Sequence, residues 1–359
     1  MPQSPLNKKI ANWLIDRFGR AAPEVAPLSR GPTTHVIILD GTMSSLEDGY
    51  ETNAGLTRKL LSEMGGKVSV YYEHGMQWSH WRRAGDVLMG RGINRQIRRA
   101  YGYLASRYRP GDRIFFMGFS RGAYAVRSLA GVIDMVGLLR SDQATERRIR
   151  DAYRHYECAP NSESAQKFRT AYCHDKIEIE MVGVWDTVKS LGINAPFLWR
   201  LSVARHAFHS HALGPSIKNG YHALARHETR VAYAPIMWES DPNWNGHMEQ
   251  MWFRGAHGDV GGELGGHVSS RPLSNITLVW MLEKAVGHGL ALPDGWRERF
   301  PQDPTAPATG TWSGYGRVFI TRKSRAIGLD PSERVHPSIA QAPDPTGRSW
   351  FGRIGQSAN

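Results

Sequence analysis

The chain of 359 residues contains only two cysteines, Cys158 and Cys173. A single pair of thiols is too little to brace a chain of this length with disulfides, and a structural zinc site needs several ligands at close spacing. A disulfide-stapled secreted module and a zinc-finger protein are therefore excluded. The cysteine usage favours a reducing compartment.

Long hydrophobic runs are also missing. A membrane-spanning helix needs about 18 to 20 apolar residues in a row, and no stretch of the sequence approaches that length. Near the N-terminus, a short amphipathic pattern places Ile10, Trp13, Leu14 and Phe18 on one face, without the cleavage site of a signal peptide. We expect residues 1–34 to form an N-terminal helix and linker of a cytoplasmic protein, with export by a secretion system that needs no signal peptide left open.

Acidic residues are outnumbered by basic ones. The chain has 45 lysines and arginines against 33 aspartates and glutamates, which gives a formal net charge of +12. A basic protein attracts anionic partners such as nucleic acid, a phospholipid surface or acidic substrates. With 41% hydrophobic residues the composition is that of a globular protein, so disordered and fibrous classes are excluded.

Strand and helix patterns alternate along the chain. Buried-strand patterns occur at residues 35–39, 67–72, 113–117, 177–185 and 250–253, and helical patterns at 53–64, 93–108, 121–136 and 272–289. This alternation predicts an α/β fold with a mostly parallel sheet covered by helices on both faces. We expect one domain over residues 35–342, with helical insertions near 137–176 and 194–220, and a loose tail at 343–359.

A G-x-S-x-G motif, at Gly118, Ser120 and Gly122, follows one predicted strand directly and opens a predicted helix. In this arrangement a sharp strand-to-helix turn presents a serine hydroxyl above the sheet, and side chains in place of the two glycines would collide with the neighbouring strand and helix. Ser120 is therefore the candidate nucleophile. The amide of Arg121, at the helix start, is a candidate oxyanion donor. The alternative is that Ser120 only caps the helix.

A serine needs a general base and an orienting carboxylate, which in this fold follow in the order Ser, Asp, His. Asp186 lies where a predicted strand ends, and His257 lies in a glycine-rich loop after a later strand. We predict that these two residues complete a triad. Two alternatives stay open: Asp259 could orient His257 in place of Asp186, and His336 could be the base.

A second oxyanion donor is expected from Gly41 or Thr42, which follow the first strand at the same sheet edge. Asp40 precedes them and suggests another chemistry. Together with Asp186, His257 and Asp259 it could hold Mg²⁺ or Mn²⁺, and metal-dependent phosphoester hydrolysis through the three aspartates is an alternative function. We predict no cofactor and no metal, because that alternative leaves the serine motif unexplained.

A non-enzymatic alternative uses the positive charge. Arg95, Arg98, Arg99 and Arg107 lie on one predicted helix and could contact phosphates of a nucleic acid. A solvated charged helix face is the usual explanation of such a pattern, so we expect no nucleic-acid partner.

Several separate motifs resemble the DUF2235 group of α/β-hydrolases, which includes the catalytic domains of phospholipase effectors delivered by bacterial type VI secretion. The motifs span about residues 35–340 and are Leu39 to Thr42, Pro110 to Asp112, Gly118 to Tyr124 with Arg127, Gly183 to Val188, Tyr221 to Leu224 with Glu228 and Arg230, Trp252 to Phe253, His257 to Gly262, and Val335 to Ser338. The resemblance implies ester hydrolysis by Ser120, with Asp186 and His257 as its partners.

The sequence is therefore interpreted as a serine hydrolase of carboxylic esters, with a phospholipid or another lipid ester as the expected substrate. Residues 194–208 combine Phe197, Trp199 and Leu201 with the basic Arg200 and Arg205. Such a segment suits an anionic membrane surface. We predict peripheral membrane contact there, and a permanently packed cap is the alternative.

Overall fold

The computed structural model describes residues 30–42, 44–75, 91–188, 212–312 and 320–341. The predicted N-terminal helix, the segment 194–208 and the tail 343–359 lie outside the described residues. The strands are β1 (Thr34–Leu39), β2 (Val68–Glu73), β3 (Arg113–Phe119), β4 (Met181–Trp185), β5 (Asn219–Ala225), β6 (His247–Phe253) and β7 (Glu333–Val335). The α-helices are α1 (Asn53–Ser62), α2 (Arg91–Arg107), α3 (Arg121–Met135), α4 (Glu146–Cys158), α5 (Glu163–Tyr172), α6 (His257–Gly261) and α7 (Arg271–Gly287).

The seven strands form one parallel sheet in the order β2-β1-β3-β4-β5-β6-β7. From β1 the chain first adds β2 on one side and then β3 on the other. The loops after β1 and β3 therefore leave the sheet at a switch point, where α/β folds open a crevice. The predicted α/β class with a parallel sheet is confirmed.

The central strands are buried on both faces. In β1, Ile37 contributes to one hydrophobic core and Ile38 to the other, and in β3 Phe116 and Met117 alternate in the same way. Successive side chains of a strand point to opposite faces, so a strand covered on both sides has a continuous apolar sequence. This is why β1 and β3 are readable as short apolar runs.

Helices cover both faces of the sheet. On one face, α2 buries the predicted stripe Ile93, Ile97, Tyr101, Leu104 and Tyr108 beside α3. On the other face, α1 and α7 pack on the second core. The segment predicted as a helical insertion, 137–176, contains α4 and α5.

Three strands differ from the sequence prediction. β5 begins at Asn219, inside the predicted insertion near 194–220, because its sequence includes a glycine and a fully buried histidine, His222, and lacks an apolar run. β4 begins only at Met181, since of the four preceding residues Ile179 alone forms a bridge, with Ile217. β7 was not predicted either.

Candidate active site

The turn from β3 into α3 carries Ser120 in a strained conformation, with φ 56° and ψ −119°. A Cβ on Gly122 would lie 2.0 Å from the carbonyl oxygen of Leu39, and one on Gly118 would lie 2.8 Å from the backbone of Ala123. Only glycine fits at either position. The sharp strand-to-helix turn predicted from the motif is confirmed, and its strain is of the kind that folded structures retain at functional sites.

Ser120, His257 and Asp186 form a continuous chain of hydrogen bonds. The Ser120 Oγ lies 2.9 Å from His257 Nε2, and His257 Nδ1 lies 2.6 Å from Asp186 Oδ2. All three residues are buried, with 5%, 2% and 0% of their surface exposed. With the imidazole proton on Nδ1, where the carboxylate accepts it, Nε2 is free to accept the serine proton.

His257 is the first residue of α6, whereas the sequence predicts a loop there. The chain turns into a helix there because carboxylates accept the amides at its start: Glu228 accepts from the backbone N–H of His257, and Asp259 accepts from that of Ala256. The imidazole then packs between Phe119 and Tyr233, whose ring centroids each lie 4.8 Å from its own. These contacts fix the direction of the ring.

Asp186 follows β4 with a positive φ of 40° and is held by more than the histidine. Its Oδ1 accepts from the backbone N–H of Ala225 at 3.0 Å, and Arg325 donates to both carboxylate oxygens at 2.6 and 2.9 Å. Burial alone would raise the pKa of Asp186, but the guanidinium of Arg325 and the hydrogen bond with His257 hold that pKa well below its usual range. The carboxylate therefore stays ionised.

The two alternative residues lie elsewhere. Asp259 Oδ1 accepts from the backbone N–H and hydroxyl of Thr309, and its Oδ2 accepts from Ala256. The ring of His336 stacks on that of Phe253, and its Nδ1 is hydrogen-bonded to the hydroxyl and the backbone N–H of Ser338. Neither residue bonds to Ser120 or His257 in the described part of the chain.

The loop after β1 lies against the elbow. A Cβ on Gly41 would be 3.4 Å from the Cβ of Ser120, so this backbone borders the serine. The Gly41 amide donates to Asp40 Oδ1 at 2.7 Å, which leaves the Thr42 amide as the other expected donor. Burial raises the pKa of Asp40, whose carboxylate also accepts from Thr52 and Tyr72.

The residues named for the metal-binding and nucleic-acid-binding alternatives can also be located in the structure. In the described ranges, no three His, Cys, Asp or Glu side chains are arranged to hold a metal ion. On α2, Arg99 pairs with Glu73, and the guanidinium of Arg107 lies 4.0 Å from the ring centroid of Tyr103. These arginines cover the outer surface of the helix they belong to.

The sequence alone assigns no role to three residues of the site. Arg325 lies 139 positions after Asp186 in a segment without helix or strand pattern, so nothing in the sequence connects the two. Glu228 and Arg230 were noted only as part of a family motif. In the structure they form a buried ion pair that anchors the start of α6.

No helix in the described ranges combines the length and the apolar character needed to cross a bilayer. Cys158 is exposed and Cys173 is buried, and neither forms a disulfide.

Comparison with known families gives one match over most of the chain. Residues 33–284 match the family described as T6SS, Phospholipase effector Tle1-like, catalytic domain. The match includes Ser120, Asp186 and His257 and ends before Arg325.

Individual relatives are more distant. An uncharacterized protein of Saccharomyces cerevisiae is 33% identical over 146 residues, which cover 36% of this chain and 21% of the yeast protein. A crystal structure of an uncharacterized protein from Pseudomonas aeruginosa aligns at 16% identity and a TM-score of 0.43, covering 84% of this chain and 54% of that one. A Tle1 effector bound to the VgrG spike of a type VI secretion system aligns at 16% identity and a TM-score of 0.32, covering 65% and 51%. The chain thus spans about half the length of the Pseudomonas protein and of the Tle1 effector, and about a fifth of the yeast protein.

Proposed function

The chain belongs to the Tle1-like catalytic-domain family of type VI secretion phospholipase effectors, and from that membership we propose that it hydrolyses lipid esters with Ser120 as nucleophile. The observation that carries the proposal is the buried hydrogen-bonded chain from Ser120 through His257 to Asp186. Ser120 stands on the strained turn, the position from which serine hydrolases of this architecture attack.

In the proposed reaction, His257 Nε2 takes the proton of Ser120 as Oγ attacks the ester carbonyl carbon. The carbonyl carbon becomes tetrahedral as its double bond to oxygen opens, and the backbone amides of Arg121 and Thr42 donate to the resulting oxyanion. His257 then gives its proton to the leaving alcohol, which departs as the acyl-serine forms. A water molecule repeats the sequence and releases the fatty acid. Asp186 keeps the imidazole in the required tautomer and stabilises its charged form.

The substrate class that fits best is a glycerophospholipid. Family membership supports it, and the net charge of +12 supports contact with an anionic lipid surface. Peripheral membrane contact through residues 194–208 remains part of this proposal. Activity on vesicles that contain phosphatidylglycerol should then fall as salt is added, because salt screens charge attraction at a membrane surface.

Delivery is a separate proposal. The family is named for effectors of the type VI secretion system, and the Tle1 effector in the solved complex is bound to a VgrG spike. We infer the same route of export for this chain. Co-purification with a VgrG protein tests it, and the absence of any stable complex would contradict it.

Product analysis tests the activity. Purified protein is incubated with phosphatidylglycerol, and the released fatty acid is identified by mass spectrometry, with Ser120→Ala as the matched control. The proposal predicts release of fatty acid and lysophospholipid by the native protein and none above background by Ser120→Ala. Release of a phosphorylated head group, or equal release by both proteins, would contradict it.

A further inference from the structure

Arg121 directly follows the proposed nucleophile, and its side chain has an unusual environment. Arg121 and Arg127 are the two buried arginines in the described ranges, with 8% and 4% of their surfaces exposed. Arg127 donates to the carbonyl oxygens of Ile236 and Met237. No side chain or backbone group in the described part of the chain accepts a hydrogen bond from the Arg121 guanidinium or forms an ion pair with it.

Burying most of a guanidinium without a protein acceptor is costly, since the charged donor loses much of its water on burial and gains no ion pair in return. Burial accordingly lowers the pKa of Arg121. An arginine in this condition is expected to bind an anion that the described residues do not supply. Its planar fork of donors suits a carboxylate or a phosphate.

The position of the guanidinium places that anion beside the reacting serine. Arg121 interacts electrostatically with Tyr233 and Glu263, and the Tyr233 ring lies against the imidazole of His257. Arg230, which also neighbours Tyr233, is neutralised by Glu228 at 2.6 Å. Of these two arginines near Tyr233, Arg121 is the one that forms no ion pair with any of the described residues.

We propose that the Arg121 side chain binds the phosphate diester of the substrate lipid while Ser120 attacks the acyl ester. This inference rests on the proposed function and adds a specificity-determining residue to it. In a glycerophospholipid only the glycerol carbons and their oxygens separate the phosphate from an acyl carbonyl. The residue after the nucleophile can therefore reach the phosphate without leaving the site.

Glu263 supplies a competing charge. It follows the C-terminal end of α6 and is half-buried. Burial, with the carboxylate of Asp40, raises the pKa of Glu263 to about 7, although Arg230 and Arg121 oppose the shift; Tyr233 is the other titratable neighbour. Below pH 7 Glu263 is neutral and leaves Arg121 to the substrate. Above pH 7 its carboxylate competes with the phosphate.

Two soluble substrates with the same acyl chains test the role of Arg121. Dibutyryl phosphatidylcholine carries the phosphate and dibutyrylglycerol does not, so the ratio of their kcat/KM values reports phosphate recognition. We expect Arg121→Gln to lower that ratio by about tenfold to a hundredfold, the loss typical of removing a charged hydrogen-bond partner, and Arg121→Lys to lower it less. The ratio is the readout because residue 121 also carries an oxyanion amide. An unchanged ratio in Arg121→Gln would overturn the inference.

The same assay separates this inference from the proposed function. If the native protein hydrolyses neither ester, the proposed function fails. If it hydrolyses both with a ratio that does not depend on residue 121, only the inference fails. Inorganic phosphate distinguishes a free anion from a lipid as the ligand. If phosphate inhibits dibutyrylglycerol hydrolysis by the native protein but not by Arg121→Gln, and the two proteins have the same kcat/KM ratio, the site binds free phosphate. The lipid assignment is then wrong.

Glu263→Gln provides an independent check that leaves Arg121 in place. In the native protein the ratio should fall between about pH 6 and about pH 8 as Glu263 ionises. In Glu263→Gln it should stay at its low-pH value across that range. Any effect of pH that is common to both substrates cancels in the ratio. A native ratio that does not change with pH would overturn the role given to Glu263.

Discussion

Replacing Asp186 by asparagine is the change whose effect follows most directly from the geometry. The Oδ1 position of Asp186 is surrounded by two donors, the Ala225 amide and Arg325 Nη1, and Oδ2 faces His257 Nδ1 and Arg325 Nη2. Both donors at Oδ1 are fixed, whereas the imidazole beside Oδ2 can move its proton to Nε2, so an asparagine places its only acceptor at Oδ1. Its amide NH₂ group then faces His257.

The consequence is a change of tautomer. With an NH₂ group donating to Nδ1, the imidazole must carry its proton on Nε2, the nitrogen 2.9 Å from Ser120 Oγ. Nε2 can then no longer accept the serine proton. We expect kcat to fall by about 10⁴-fold, the size of loss known for a wrong imidazole tautomer in a serine triad. Arg325 also loses its counter-charge, which should destabilise the fold by about 3–5 kcal/mol.

Three variants separate the two effects. The hydrolysis of p-nitrophenyl butyrate and the free energy of unfolding are measured for Asp186→Asn, for Asp186→Asn with Arg325→Met, and for Asp259→Asn. The double variant should regain stability but not activity, because it removes the unpaired guanidinium and keeps the wrong tautomer. Asp259→Asn should lose only about 10²-fold, since it loosens the start of α6 without changing the tautomer. A kcat for Asp186→Asn equal to or above that of Asp259→Asn would refute the reasoning.

Three further predictions concern the surroundings of the site. Gly122→Ala should cost about 3 kcal/mol or prevent folding, because the new Cβ would meet the Leu39 carbonyl at 2.0 Å; native-like stability in urea unfolding would contradict this. His336→Ala should have a kcat within about twofold of the native value, since His336 does not contact Ser120. A loss of kcat as large as that of Ser120→Ala would make His336 the base. Burial lowers the pKa of His222 to about 3 in the folded protein. As the pH drops below 6.5, the unfolded chain therefore binds a proton that the folded protein does not bind. The free energy of unfolding should fall by about 1.4 kcal/mol per pH unit in this range. A matched His222→Gln variant should show a shallower fall between about pH 6 and pH 4 in the same unfolding assay, and identical slopes would contradict the assignment.

Much of the site is predictable because it depends on local sequence and sheet topology. Ser120 lies between a buried strand and a helix, and the glycines around it report the tight turn directly. Asp186 follows another strand of the same sheet, and the carboxyl ends of parallel strands share one edge. Their proximity therefore follows from the fold class before any contact is known.

The remaining parts depend on contacts distant in sequence. Arg325 reaches Asp186 from a segment with no regular structure, so neither periodicity nor motif indicates the pairing. The helix that begins at His257 owes its start to Glu228, on a different segment, whereas the glycines around the histidine suggest a loop. His222 lies buried in β5, and a buried polar residue interrupts the apolar pattern by which a strand is recognised in the sequence. In each case a tertiary partner overrides the local signal.

Labelling with a fluorophosphonate probe tests the role of Ser120 without any choice of substrate. The probe reacts covalently with serines that a neighbouring base activates, and ordinary serines do not react. The account predicts one adduct, on the peptide that contains Ser120, in the folded protein, and its loss in both Ser120→Ala and His257→Ala. A folded protein that forms no adduct on Ser120, or labels equally well without His257, would contradict it.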